Sequence, residues 1–259
     1  MWTAVSWQGV INLCSVFNYK GTTMVTREEF WRITSSSRIE AEYMVDDKLN
    51  YLQSAPPDIL RRIFHEYRFF IQYYINDLGL LLYKVPFSEF KCLVAEIAAE
   101  ELGASPDKSH LQLWDNFLVS IGVDESKLEH GLHPENIELL AGLSDLMMSE
   151  SYMYGIGLRG MGAECLCQVY LTAAHKHLMM NPYIQANKDK IDWLFWDIHI
   201  GEVDIHHGEM VREAIDKMIV ADPKLIPQLV LGYDQGKQVW DTFWDNLYRT
   251  TDYLELATV

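Results

Sequence analysis

Between Trp193 and Val211 the chain reads WLFWDIHIGEVDIHHGEMV. Nine consecutive residues there hold His199, Glu202, Asp204, His206 and His207. Three imidazoles and two carboxylates make a poor core and an unusual surface. They suit a metal ion that takes mixed nitrogen and oxygen donors; the plainer reading is a solvated helix with chance histidines. Apolar residues flank the cluster at three- and four-residue steps, so the spacing predicts one amphipathic helix over about 188–218. On a straight helix His199 and His206 share a face, Asp204 and His207 share another, and the two faces stand about 100° apart. One metal would not meet all four. A one-residue π-bulge at Gly201 would turn His199 back toward Asp204 and His207. If the helix is straight, His199 and His206 form the metal face instead.

Two further groups carry chemistry. Glu100 and Glu101 precede the helix-ending Gly103, and His110 follows across a short loop. That loop would let one of the two glutamates, Glu101 or Glu100, meet His110, although a pair of acids before a helix-ending glycine is more often solvated. Asp107 is explained by the helix dipole alone. Glu164 lies in GLRGMGAECLCQVYL, among small and apolar neighbours. An acid in such a stretch is costly to bury unless it is paired, hydrogen-bonded or metal-bound. Cys165 and Cys167 read as packing rather than as nucleophiles, and His175 and His177 as surface residues.

The elements that must position these groups read as helices throughout. Thr26 with Glu29 forms a capping box for a helix through REEFWRITSSSRIEAEYMV, and a short helix over DDKLNYLQS follows. Pro56-Pro57 separates these from a long, mostly buried helix, ILRRIFHEYRFFIQYYINDLGLLLYKV. Pro86 starts a helix that ends at Gly103, and Ser105-Pro106 opens the one that carries His110. Helices follow over about 134–148 and 152–180, then the histidine-rich helix, then a last region after Asp222-Pro223. No alternating strand pattern and no repeat appears. The expectation is an all-α bundle of about seven to nine helices. Residues 1–23 differ in character and are read as a tail, with Met24 as a possible alternative start, and 24–259 as a single domain.

The chain has 259 residues, 49% of them hydrophobic, enough for a sizeable core. A net charge of −16 argues against nucleic acid and against anionic membrane surfaces. The four cysteines show no zinc or disulfide spacing, which points to a reduced cytoplasmic setting. No run of about 18 apolar residues suggests a membrane span, and the N-terminus has no signal-peptide pattern.

Taken in order, acid-x-Gly … His, a Glu in a small-residue helix, then His … Asp-x-x-His, the set resembles the haem-oxygenase-like di-iron oxidases. That family's last motif is His, three residues, Asp, two residues, His; here one extra residue stands between His199 and Asp204. The resemblance implies the haem-oxygenase-like fold and the metal ligands Glu101, His110, Glu164, His199, Asp204 and His207. Many members add a Glu on an earlier helix. Here Asp77 is the nearest acid to that place. The resemblance further implies two Fe(II) ions, O2 as co-substrate and a small substrate, an amino acid above all. Among the small amino-acid-oxidising members the outcomes include N-oxygenation, C–C cleavage and nitrile formation, in one relative from a halogenated tryptophan. A homodimer is compatible with it. Two other classes compete: a metal-free, thiamine-salvage-type hydrolase on the same fold with Cys165 or Cys167 as nucleophile, and a non-catalytic helical binding protein.

Overall fold

The computed structural model describes residues 25–103, 105, 108–131, 133–200 and 202–257; for residues 37, 202–207 and 249–257 it describes the backbone alone. The tail expected over 1–23 lies outside the described residues. All regular structure among the described residues is helical, as expected. None of these helices is long and apolar enough to cross a membrane.

Helix α1 (Arg27–Leu49) opens where the capping box places it, with the Glu29 N–H donating to the Thr26 hydroxyl at 3.1 Å. It runs on through the residues read as a separate helix and closes in a tight turn at Asn50–Gln53. Helix α2 (Pro57–Lys84) begins on Pro57, whose missing N–H would have had no helical partner in the first turn. Its centre is buried on every side: Ile63 to Ile71 contains no exposed residue. Helix α3 (Glu89–Leu102) starts at the Ser88 cap rather than at Pro86, and Gly103 ends it at φ +69°. Helix α4 (His110–Ser120) is opened by Ser109, not Ser105. The Ser109 hydroxyl accepts from the Gln112 N–H at 3.2 Å, so His110 becomes the first helical residue.

Helix α5 (Pro134–Ser149) is followed by α6 (Tyr152–Gly155), a π turn over Ile156–Met161, and α7 (Gly162–Leu178). The sequence suggested a plain helix over 152–180. The continuous helix expected over 188–218 is broken. A short α8 (Pro182–Asn187) and a tight turn precede α9 (Leu194–His199), and α10 (Glu202–Ala221) follows. The Asp192 side chain accepts from the Leu194 N–H and starts α9 afresh, which a reading of apolar periodicity does not register. These breaks raise the number of helical segments among the described residues above the seven to nine expected. Helix α11 (Ile226–Ala257) closes the bundle.

Helix α11 crosses α6 and the π turn at backbone distance. A Cβ on Gly157 would overlap the Leu229 carbonyl oxygen, and one on Gly232 would overlap that of Tyr154. Gly162 and Gly236 face each other in the same way, with a built Cβ on Gly236 only 2.8 Å from the Gly162 Cα. Backbone atoms cannot swing aside as a flexible side chain can. Around this crossing the core is aromatic. Phe70 packs 4.3 Å from Trp240 and 5.1 Å from Phe243, and Tyr67 lies 5.1 Å from Trp114 between ring centroids.

Gly232→Ala is expected to lower stability by about 3 kcal/mol, the upper end of overpacking costs. Gly79→Ala, in the interior of α2 with nothing within 4 Å of its new methyl, is expected to raise it by about 0.5–1 kcal/mol. Urea unfolding of the two variants measures both signs; a neutral Gly232→Ala would contradict the crossing.

Candidate metal centre

Three ends of helices bring three donors together. Glu101 sits in the last turn of α3, His110 is the first residue of α4, and His199 is the last of α9. Gly103 makes the first junction. Its positive φ turns the chain, and a Cβ there would come within 2.6 Å of the Lys108 carbonyl carbon, so only glycine lets α4 start so close behind α3. One donor atom from each of Glu101, His110 and His199 lies within 4.8 Å of the others.

Glu101 Oε1 is 3.1 Å from His110 Nδ1. The rings of His110 and His199 meet edge to face at 4.6 Å, and Phe195 stacks on His199 at 3.9 Å. His199 Nδ1 lies 2.7 Å from the Phe195 carbonyl oxygen. A carbonyl oxygen only accepts, so Nδ1 carries the proton and Nε2 keeps its lone pair for a ligand. Glu101, Glu164 and His199 line one cavity together with the aromatic rings of Tyr67, Phe70, Tyr74, Phe195 and Trp240 and with Ile71, Ala163 and Cys167. Two imidazoles and a carboxylate brought together, with Glu101 and His199 on the cavity wall, are a donor set suited to non-haem iron, and the residues fit such an ion.

The sequence matches the model of the iron-containing redox enzyme family over residues 64–241. The chain belongs to this family. Among curated proteins no match is found. Solved structures share the fold. A CADD-like protein of unknown function from Nostoc punctiforme superposes with a TM-score of 0.68 at 17% identity, covering 86% of this chain and 98% of that one. A domain of unknown function with a haem-oxygenase-like fold, from Shewanella denitrificans, gives 0.69 at 13% identity, covering 90% and 96%. A TenA homologue from Pseudomonas syringae pv. tomato gives 0.61 at 12% identity, covering 85% and 93%. At such identities the likeness speaks for the fold alone, which is haem-oxygenase-like.

The other family positions divide. Glu164 lies in the first turn of α7, directly after the π turn, and is buried on the cavity wall. Glu100 is exposed and does not join the three converging donors, whereas Glu101 does. Asp204, His206 and His207 fall in the first two turns of α10; their side chains, and Gly201 with its proposed bulge, lie outside the described residues. Because α9 ends at His199 and α10 begins at Glu202, one helical wheel no longer relates His199 to Asp204.

Asp77 is a correction. It is fully buried, but both its oxygens are engaged: Arg159 Nε donates to Oδ2 at 2.7 Å, and the Ser144 hydroxyl to Oδ1 at 2.6 Å. It does not line the cavity. Arg159 reaches it from the π turn, a geometry that sequence spacing does not reveal. His175 and His177 are also not surface residues. His177 is buried with a ring nitrogen 3.0 Å from Asp46, and His175 packs on Trp193 and Trp196, where burial lowers its pKa. Burial, and then the Glu164 charge, push the Cys165 thiol up to about 11, away from the thiolate a nucleophile needs. The cavity wall on α2 was missed by sequence reading, although Tyr67, Phe70, Ile71 and Tyr74 stand at i, i+3, i+4 and i+7. That spacing marks one helical face but does not separate a pocket wall from ordinary core.

Loss of a ligand and loss of the ion pair should read differently. His110→Ala and His199→Ala are each expected to weaken Fe(II) binding by more than about 100-fold, beyond the 10–100-fold typical of outer-shell changes. Asp77→Asn is expected to keep Fe(II) affinity within about threefold, while lowering stability by about 3–5 kcal/mol through the uncompensated Arg159. Anaerobic Fe(II) titration with denaturant unfolding of each variant tests the division.

Proposed function

We propose that this protein is a non-haem di-iron oxidase that uses O2 to oxidise a small amino-acid-like substrate. The outcomes in view are N-oxygenation, C–C cleavage or nitrile formation, with a tryptophan derivative among the substrates to try. The observation that carries this reading is the convergence of Glu101, His110 and His199 at a cavity that Glu101, His199 and Glu164 line. Membership of the iron-containing redox family supports it.

In this reading Glu101, His110 and His199 hold one ion, while Glu164, Asp204 and His207 hold the second, with His206 as the alternative to His207. Iron with O2 supplies the oxidising power. The chain supplies the rest. The Phe195 carbonyl keeps His199 in the tautomer that presents Nε2. Phe70, Trp240 and Phe195 give the substrate an apolar bed and keep water out. Trp240 is fixed in place by its indole N–H, which donates to the Gly162 carbonyl at 2.7 Å.

The hydrolase reading draws on the TenA homologue's shared fold and on Cys167 at the cavity wall. It leaves three converging metal donors without a role. Anaerobic Fe(II) titration is expected to saturate at two ions, one weakly held. O2 consumption should then respond to one member of a panel of amino acids. His207→Ala should lose the weaker ion, and His206→Ala should keep both. Tightly bound zinc without iron-dependent turnover would sink the oxidase. So would hydrolysis that needs no metal and disappears when Cys165 and Cys167 are both changed to Ala.

A further inference from the structure

The face of α2 that forms the cavity wall spans Tyr67 to Tyr74, two helical turns or about 10 Å along the axis. Tyr74 ends it. Its ring is held from behind, with the Arg159 guanidinium carbon 5.9 Å from the ring centre and Arg159 itself tied to Asp77. Its hydroxyl is shielded from solvent and meets no hydrogen-bond partner among the described residues. A shielded hydroxyl without a partner destabilises a fold, and native structures keep few of them. The indole N–H groups of Trp196 and Trp244 also find no partner among the described residues, but neither residue lines the cavity. Tyr74 does.

We propose that the Tyr74 hydroxyl is the recognition group for the carboxylate of the substrate. This deepens the reading of the cavity as the site of an amino-acid-like substrate and rests on it. The other polar groups on the wall are the Glu101 and Glu164 carboxylates and the His199 imidazole, at the metal donors, the Cys167 thiol, and the Tyr67 hydroxyl, which unlike that of Tyr74 is not a shielded group in want of a partner. Carboxylates repel a substrate carboxylate, whereas a phenol O–H donates to it. Tyr74 therefore marks the carboxylate end, and the neighbouring ring of Phe70, backed by the same guanidinium at 5.7 Å, supports an apolar substrate body.

Two probes that differ only in that carboxylate, L-phenylalanine and phenethylamine, test the assignment by calorimetric titration of metal-free and zinc-loaded protein. The wild-type protein is expected to prefer L-phenylalanine. Tyr74→Phe is expected to weaken L-phenylalanine by about tenfold, as for the loss of one hydrogen bond to a charged group. It should leave phenethylamine within about twofold and leave the melting temperature unchanged or raised. A merely structural hydroxyl would lower the melting temperature and weaken both probes alike, and that result overturns the proposal. A wild-type protein that shows no preference for the carboxylate in either form overturns it too. The readout needs neither iron nor O2. A carboxylate preference that survives while iron-dependent O2 consumption is absent removes the oxidase and leaves Tyr74 assigned. O2 consumption without the preference does the reverse.

Discussion

Backbone against backbone, where α11 crosses the π turn, is the constraint on which the rest of the molecule depends. Gly157, Gly162, Gly232 and Gly236 bring the two stretches of chain so close that no side chain can stand between them. The π turn itself inserts about one residue and so rotates α7 by about 100° relative to α6. With that rotation Arg159 points to Asp77, and Glu164 lines the cavity. The same contact positions Trp240 of α11 to donate to the Gly162 carbonyl, to stack on Tyr170 and to pack at a tilt against Phe70. One packing choice thus fixes an acid, an ion pair and an aromatic wall.

Buried charge in this fold has two distinct uses. Asp77 with Arg159, and Arg68 with Asp115, are pairs whose partners come from different elements. Such pairs add little net stability but penalise any arrangement that separates them. Glu101, His110 and His199 instead crowd three donors together. The closest approach among them is the 3.1 Å between Glu101 Oε1 and His110 Nδ1.

The helical class, several helix boundaries and the four groups Glu101, His110, Glu164 and His199 were legible because they rest on local signals. Thr26, Pro57, Gly103 and Pro134 act on their own neighbours, and so their effects survive in sequence. Glu164 stood out because a small-residue helix seldom carries an acid. Asp77 was misread because its partner, Arg159, lies 82 positions away and arrives only through the π turn. The helix break before α9 was misread because the Asp192 side chain, accepting from the Leu194 N–H, competes with an otherwise unbroken apolar period. Tyr74 could not be singled out at all, since an orphaned hydroxyl is defined by what fails to surround it.

The three donors share a feature that reaches beyond coordination: each is the terminal or near-terminal residue of its helix. Helix ends open more readily than helix centres, by fluctuations far smaller than global unfolding. The scaffold of α2, α7 and α11 can therefore stay closed while the ends of α3, α4 and α9 breathe around the site. An ion that binds only the closed arrangement draws those ends shut in proportion to its affinity. Amide exchange at Leu102, Leu111 and Ile200 would then report whether metal is present, while exchange in the middle of α2 would not. A metal held at these helix ends would act as a local fastener rather than as a part of the core.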